Sequence, residues 1–128
     1  MNRTIMISLF GAVIFFATPA LATGLLDSVP DPVGSKSADW KGIQDGGQHT
    51  YFRASEPAQD AARQYRSALE SRGWSIVDFY ADGSSYGSSG RVVAKDGDRY
   101  LLLLSNGPGK TAHINLCVWP SKPGDDDC

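Results

Sequence analysis

RVVAKDGDRYLLLLSNGPGKTAHINLCVW, residues 91–119, holds three strand-like runs separated by two turn signals. Arg91–Lys95 and Asp98–Ser105 flank Asp96-Gly97, the strongest short hairpin signal in the chain, because a two-residue loop of this type needs φ > 0. Asn106-Gly107-Pro108-Gly109 makes a longer connection, and Thr111–Trp119 follows as the last strand. That strand alternates, with Ala112, Ile114, Leu116 and Val118 on one face and Thr111, His113, Asn115, Cys117 and Trp119 on the other. With residues 105 and 111 closing the second hairpin, Tyr100, Leu102 and Leu104 join the first set, and Leu101 and Leu103 join His113, Asn115 and Trp119. One face is then a plain core. The other is mixed, which is unusual for a solvated surface, and calls for a cover: the amino-terminal lead-in, a partner or a ligand.

Ahead of these strands lies the best-specified helix. Ala58, Ala61, Ala62, Tyr65, Ala68 and Leu69 recur at spacings of three and four, and polar residues take the opposite side. Ser55-Glu56-Pro57 is a helix start, with Ser55 or Glu56 at the N-cap and Pro57 in the first turn. Arg72-Gly73-Trp74 ends the helix: Gly73 suits a left-handed residue past the C-cap and lets Trp74 fold back onto Leu69. Trp74–Tyr80 and Gln48–Arg53 are rich in strand formers, Asp45-Gly46-Gly47 is a turn, and 82–90 is a Gly/Ser loop with Tyr86 at its centre. The fold class is therefore α+β: one main helix on a mainly antiparallel sheet of four to five strands, in β-α-β-β-β-β order.

The run Tyr65-x-x-x-Leu69-x-x-x-Gly73-Trp74 resembles the helix end of small exported bacterial domains of unknown function, in which a β-meander follows. The resemblance covers about Tyr51 to Trp119. It implies a single helix on an antiparallel sheet and carries no activity.

The amino terminus has the pattern of a secretory signal peptide. Arg3 stands beside the terminal amine, Ile5–Ala17 is almost wholly apolar, Pro19 breaks the run, and Ala20-Leu21-Ala22 offers small residues at the cleavage positions. The apolar run falls short of the roughly 20 residues a membrane span requires. The organisation expected is a signal peptide at 1–22, an extended lead-in at 23–47 and one small domain at 48–128. Without Arg3 the mature chain carries 11 Lys+Arg against 14 Asp+Glu, a formal −3. That balance supplies no basic stripe for nucleic acid, and no later apolar run is long enough to span a membrane. Export removes the reducing pool, so Cys117 and Cys128 are expected to form one disulfide that pins the tail. The spacing is not Cys-x-x-Cys, and no neighbouring base lowers a thiol pKa, so the pair is structural rather than redox-active.

Gly83-Ser84-Ser85-Tyr86-Gly87 matches the G-x-S-x-G pattern of a hydrolase nucleophile elbow, which needs a strand before it and a helix after it. Here Ser88-Ser89-Gly90 and another strand follow, so Ser85 is not read as a nucleophile, and Asp98 and His113 complete a triad only nominally. His49 and His113 lack a second ligand at metal spacing, and Asp125-Asp126-Asp127 is a solvated acidic tail, not a calcium loop. No catalytic, cofactor or metal residues are assigned. The expected function is a non-catalytic binding domain of the cell envelope, periplasmic or secreted. Its candidate face is Leu101, Leu103, His113, Asn115 and Trp119, and its partner an envelope protein or small ligand. A small secreted hydrolase with a dispersed site, or a structural subunit of an envelope assembly, are the rival readings. Intact-mass measurement of exported protein should show Thr23 as the first residue; full-length chain in the membrane fraction would contradict cleavage.

Overall fold

The small side chains of the helix decide how closely it sits on the sheet. The computed structural model describes residues 24–32 and 38–128, so the signal peptide expected at 1–22 lies outside the described residues. Helix α1 (Ala58–Ser71) buries Ala58, Ala61, Ala62, Tyr65 and Leu69. The sheet comprises β1 (Lys41–Gly42), β2 (Gln48–Ala54), β3 (Ser75–Gly83), β4 (Ser88–Asp96), β5 (Arg99–Gly107) and β6 (Ala112–Trp119). It is antiparallel throughout, in spatial order β1-β2-β6-β5-β4-β3. Where α1 crosses β4, a side chain at Gly90 would overlap the Ala62 methyl. The glycine therefore sets the helix-to-sheet distance.

The helix starts on Pro57 with no side-chain cap, so neither Ser55 nor Glu56 takes the expected capping role. Groups from the sheet serve the first turn instead: the Gln59 N–H donates to Ser88 Oγ at 3.1 Å, and Ser105 Oγ donates to the Ala58 carbonyl at 2.7 Å. Glu56 accepts from Gln64 Nε2 at 2.8 Å. At the other end the expected cap forms. Gly73 has φ +86°, its N–H donates to the Glu70 carbonyl, and the Trp74 N–H donates to that of Leu69 at 3.1 Å. This is the paired hydrogen bonding of a Schellman ending.

The sheet departs from expectation in three ways. It has six strands rather than four to five, and the order is β-β-α-β-β-β-β. The added strand is β1, in the segment expected as lead-in, where Asp45 (φ 59°) and Gly46 (φ 73°) reverse the chain so that Lys41 pairs with His49. The Gly/Ser loop expected over 82–90 shrinks to Ser84–Gly87, because β3 and β4 stay paired out to Gly83 and Ser88. Third, the β5–β6 register differs. Pairing reaches Asn106 opposite His113, and the turn closes with the Thr111 N–H on the Pro108 carbonyl at 3.1 Å. Moving from 105 opposite 111 to 106 opposite 113 is an odd shift, and with a side-chain period of two it exchanges the faces of β5.

The core under α1 therefore contains Val92, Ala94, Leu101, Leu103, Ile114, Leu116 and Val118, each at most 1% exposed. Residues 24–30 close the edge of this same core. Leu25 is buried in it, Tyr65 Oη donates to the Pro30 carbonyl at 2.7 Å, and Trp74 Nε1 donates to that of Ser28 at 3.1 Å. Arg99 gathers the turn by donating to the carbonyls of Gly24, Leu25 and Asp27 and to Ser28 Oγ, with its guanidinium 4.8 Å from the Trp74 ring centre. Burial raises the Tyr65 phenol pKa above its ordinary value, with the Asp31 carboxylate adding to it. Leu69 is fully buried. Leu69→Ala should cost about 2–5 kcal/mol, and Gly73→Ala about 1 kcal/mol for a left-handed alanine. Denaturant midpoints unmoved in both variants would contradict this packing.

Candidate binding face

On the face away from the helix, cross-strand pairing arranges side chains in rows. One row runs Trp119, Tyr100, Lys95, Ser75, and the next His49, Cys117, Leu102, Val93, Asp78. A third runs Tyr51, Asn115, Leu104, Arg91, Tyr80, and a fourth Arg53, His113, Asn106, Ser89, Asp82. The first two rows form a second small core, with Val93, Tyr100, Leu102, Cys117 and Trp119 buried and Ile43, Leu104 and Cys128 packed against them.

The cover over this second core is the carboxy-terminal tail and the turn before β2. Cys117 and Cys128 are joined by a disulfide, as expected. Closing a loop of this size is worth on the order of 3 kcal/mol in the chain-entropy description. Gly124 N–H donates to Asp45 Oδ2 at 3.3 Å, and Gln44 Nε2 donates to the Asp127 carbonyl at 3.2 Å, tying tail to turn. Trp119 Nε1 donates to the Gln44 carbonyl at 3.1 Å. Asp126 reaches Arg91 at 3.8 Å, while burial and this same carboxylate raise the Tyr100 phenol pKa.

The residues expected to form one face are thus divided. Leu101 and Leu103 are fully buried under α1, not beside His113 and Asn115. Trp119 shares the face of His113 and Asn115 but is itself fully buried beneath the cover. His113 and Asn115 lie in the open rows, half-buried.

Their partners come from β2, sixty residues and more away in the chain. His49 Nε2 and Asn115 Oδ1 share a hydrogen bond of 2.9 Å, and Tyr51 Oη and His113 Nδ1 share one of 2.5 Å. The Tyr51 and His113 rings stack with centroids 6.1 Å apart. These diagonal contacts join alternate residues of two paired strands, which is how side chains on one sheet face interact. Tyr51, Leu104, Arg91 and Tyr80 were not picked out from sequence. The alternation His49, Tyr51, Arg53 against Thr50, Phe52, Ala54 is the signal that finds the β2 members once β2 is paired with β6. Tyr51 and Tyr80, at opposite ends of the third row, are each 49% exposed. With strands about 4.8 Å apart, four steps separate them by about 19 Å.

Ser85 sits in the four-residue turn between β3 and β4, and Asp98 in the turn beyond the far end of β4. Nine residues at about 3.3 Å each place them about 30 Å apart, so the nominal triad is not assembled. A recess of about 710 Å³ beside this turn is lined by Asp82, Ser84, Tyr86 and Ser88 with Gly107 and Pro108 opposite, and Tyr86 stands out into solvent. A smaller cleft of about 290 Å³, bordered by Asp39, Lys41, His49 and Tyr51, opens at the β1–β2 edge. Among the described residues no helix is long and apolar enough to cross a membrane.

Because Trp119 is enclosed, Trp119→Ala should lower stability by about 3–5 kcal/mol, measured by chemical denaturation. A variant as stable as the parent would show that the tail does not cover it.

No protein-family model matches the chain, and no curated protein matches it.

Proposed function

We propose that this chain is an exported binding module that engages an extended segment of an envelope protein on the open half of its sheet. The observation that carries the reading is the third row, where Tyr51 and Tyr80 stand half-exposed at either end of Asn115, Leu104 and Arg91. Tyrosine and arginine are enriched where proteins associate, because each offers a broad apolar surface with a polar end. Five strands by two rows of side chains, at ordinary strand spacing, give a footprint on the order of 300 Å². A stable globular interface takes about 800 Å² from each partner, so the platform suits one extended segment and transient binding. Export is supported by the signal-like amino terminus and by a disulfide, which persists outside the reducing cytoplasm.

The free edge of β3 favours a strand-adding structural subunit less. Its register shifts between Ile76 and Asp78, a bulge of the kind that blunts an edge against further pairing.

Capture from envelope extract by the tagged mature protein provides the test. Tyr51→Ala combined with Tyr80→Ala should reduce capture of the partner at least about tenfold, as loss of interface anchors does, with the denaturation midpoint little changed. Ser85→Ala should capture normally. A double variant that is folded and captures as well as the parent would remove this face from consideration.

A further inference from the structure

We infer that the Cys117–Cys128 pair, once reduced, forms with His49 a three-ligand site for zinc, so that the disulfide is the closed state of a redox-gated metal site. The inference is independent of the binding platform. It rests on three facts of placement. His49 and Cys117 are directly opposite in the β2–β6 ladder, which puts both side chains on one face. One imidazole nitrogen of His49 and the sulfurs of Cys117 and Cys128 all lie within 4.8 Å of one another. The His49 ring is held by Asn115 at 2.9 Å, the kind of support that orients metal-binding imidazoles.

Disulfide sulfur is a poor ligand, so the oxidised chain has no such site. A dithiol reductant changes that. It transfers two electrons, the S–S bond breaks, the reductant becomes its own disulfide, and the protein gains two thiols. Zinc binding then displaces two protons, one from each thiol, and forms two Zn–S bonds and one Zn–N bond, with no change in the metal's oxidation state. Two thiolates and an imidazole are a borderline-soft donor set that suits zinc, and three protein ligands leave a fourth position for water or another ligand. The surroundings favour a cation. Asp125, Asp126 and Asp127 directly precede Cys128, and the Asp45 carboxylate lies against the same tail at Gly124. His49 itself borders the cleft of about 290 Å³ at the β1–β2 edge. Cys117 is fully buried while Cys128 is only partly so, so the tail cysteine is the one a reductant reaches and the one free to shift as the sulfurs separate.

Cobalt(II), which takes zinc sites and reports thiolate ligation by its visible and near-ultraviolet absorption, is the probe. The full chain is reduced with a non-ligating phosphine in the absence of air and titrated. The expected result is one cobalt per chain with thiolate-to-metal charge transfer, two protons released per ion, displacement by zinc, and none of this in the oxidised chain. His49→Ala should weaken binding at least about tenfold, since even loss of an outer-shell partner does that much. Tyr86→Ala, remote from the cluster, should bind as the parent. Absence of cobalt uptake by the reduced chain, folded or not, would overturn the inference. So would uptake equally strong in His49→Ala, or one ion shared between two chains.

Discussion

The register of β6 against its two neighbours is the constraint on which the rest of the molecule depends. β6 is flanked by β2 and β5 and pairs with each over most of its length. Its own alternation is unambiguous, with Ala112, Ile114, Leu116 and Val118 inward. Whatever is opposite those residues is committed to the helix side. In the observed register that means Leu101, Leu103 and Ser105 on β5, and Gln48, Thr50, Phe52 and Ala54 on β2. A slip by one would bring Asn106 beneath the helix and turn Leu101 and Leu103 outward. Leu102 and Leu104 would take their places, so leucine burial is nearly conserved. The cost of the slip is the burial of the Asn106 amide and the loss of the Ser105 bond to the first turn of α1.

The other face follows from the same pairing but is solved differently. A chain of this length has one helix among its described residues, and it is spent on the first face. Half of the second face is apolar enough to need shelter, and the shelter is the tail folded back over Trp119, Tyr100 and Leu102 and anchored by the disulfide. The remaining half is left uncovered. There the apolar content falls to Leu104 and two tyrosines among amide, imidazole and guanidinium groups, a mixture that water tolerates and a partner can use. Placing both histidines on this face, one by the disulfide and one by Tyr51, is a consequence of β2 lying antiparallel to β6.

What the sequence made legible is largely what is local. The helix, its Gly73 ending, the Asp96-Gly97 hairpin and the cysteine pairing each depend on residues a few positions apart, or on there being only two cysteines. The β5–β6 register is not legible in the sequence because Tyr100–Leu104 is apolar at every position. No polar residue within the run distinguishes one face from the other, and only the length of the Pro108–Thr111 turn decides. β1 is missed because two residues carry no periodicity. The site is missed in part for a related reason: His49 and Tyr51 reach Asn115 and His113 across a strand pairing with no short-range signal. That His49 stands opposite Cys117 is likewise a product of the β2–β6 ladder and has no signal along the chain.

Methyl contacts observed by nuclear Overhauser spectroscopy on the oxidised protein report the β5–β6 register. Leu101 and Leu103 methyls should contact Val118, Leu116 and the side chains of α1. Leu104 methyls should contact the Asn115 side chain on the opposite face. Contacts from Leu101 or Leu103 methyls to the His113 ring or the Asn115 amide, with Leu102 and Leu104 under the helix instead, would contradict this register.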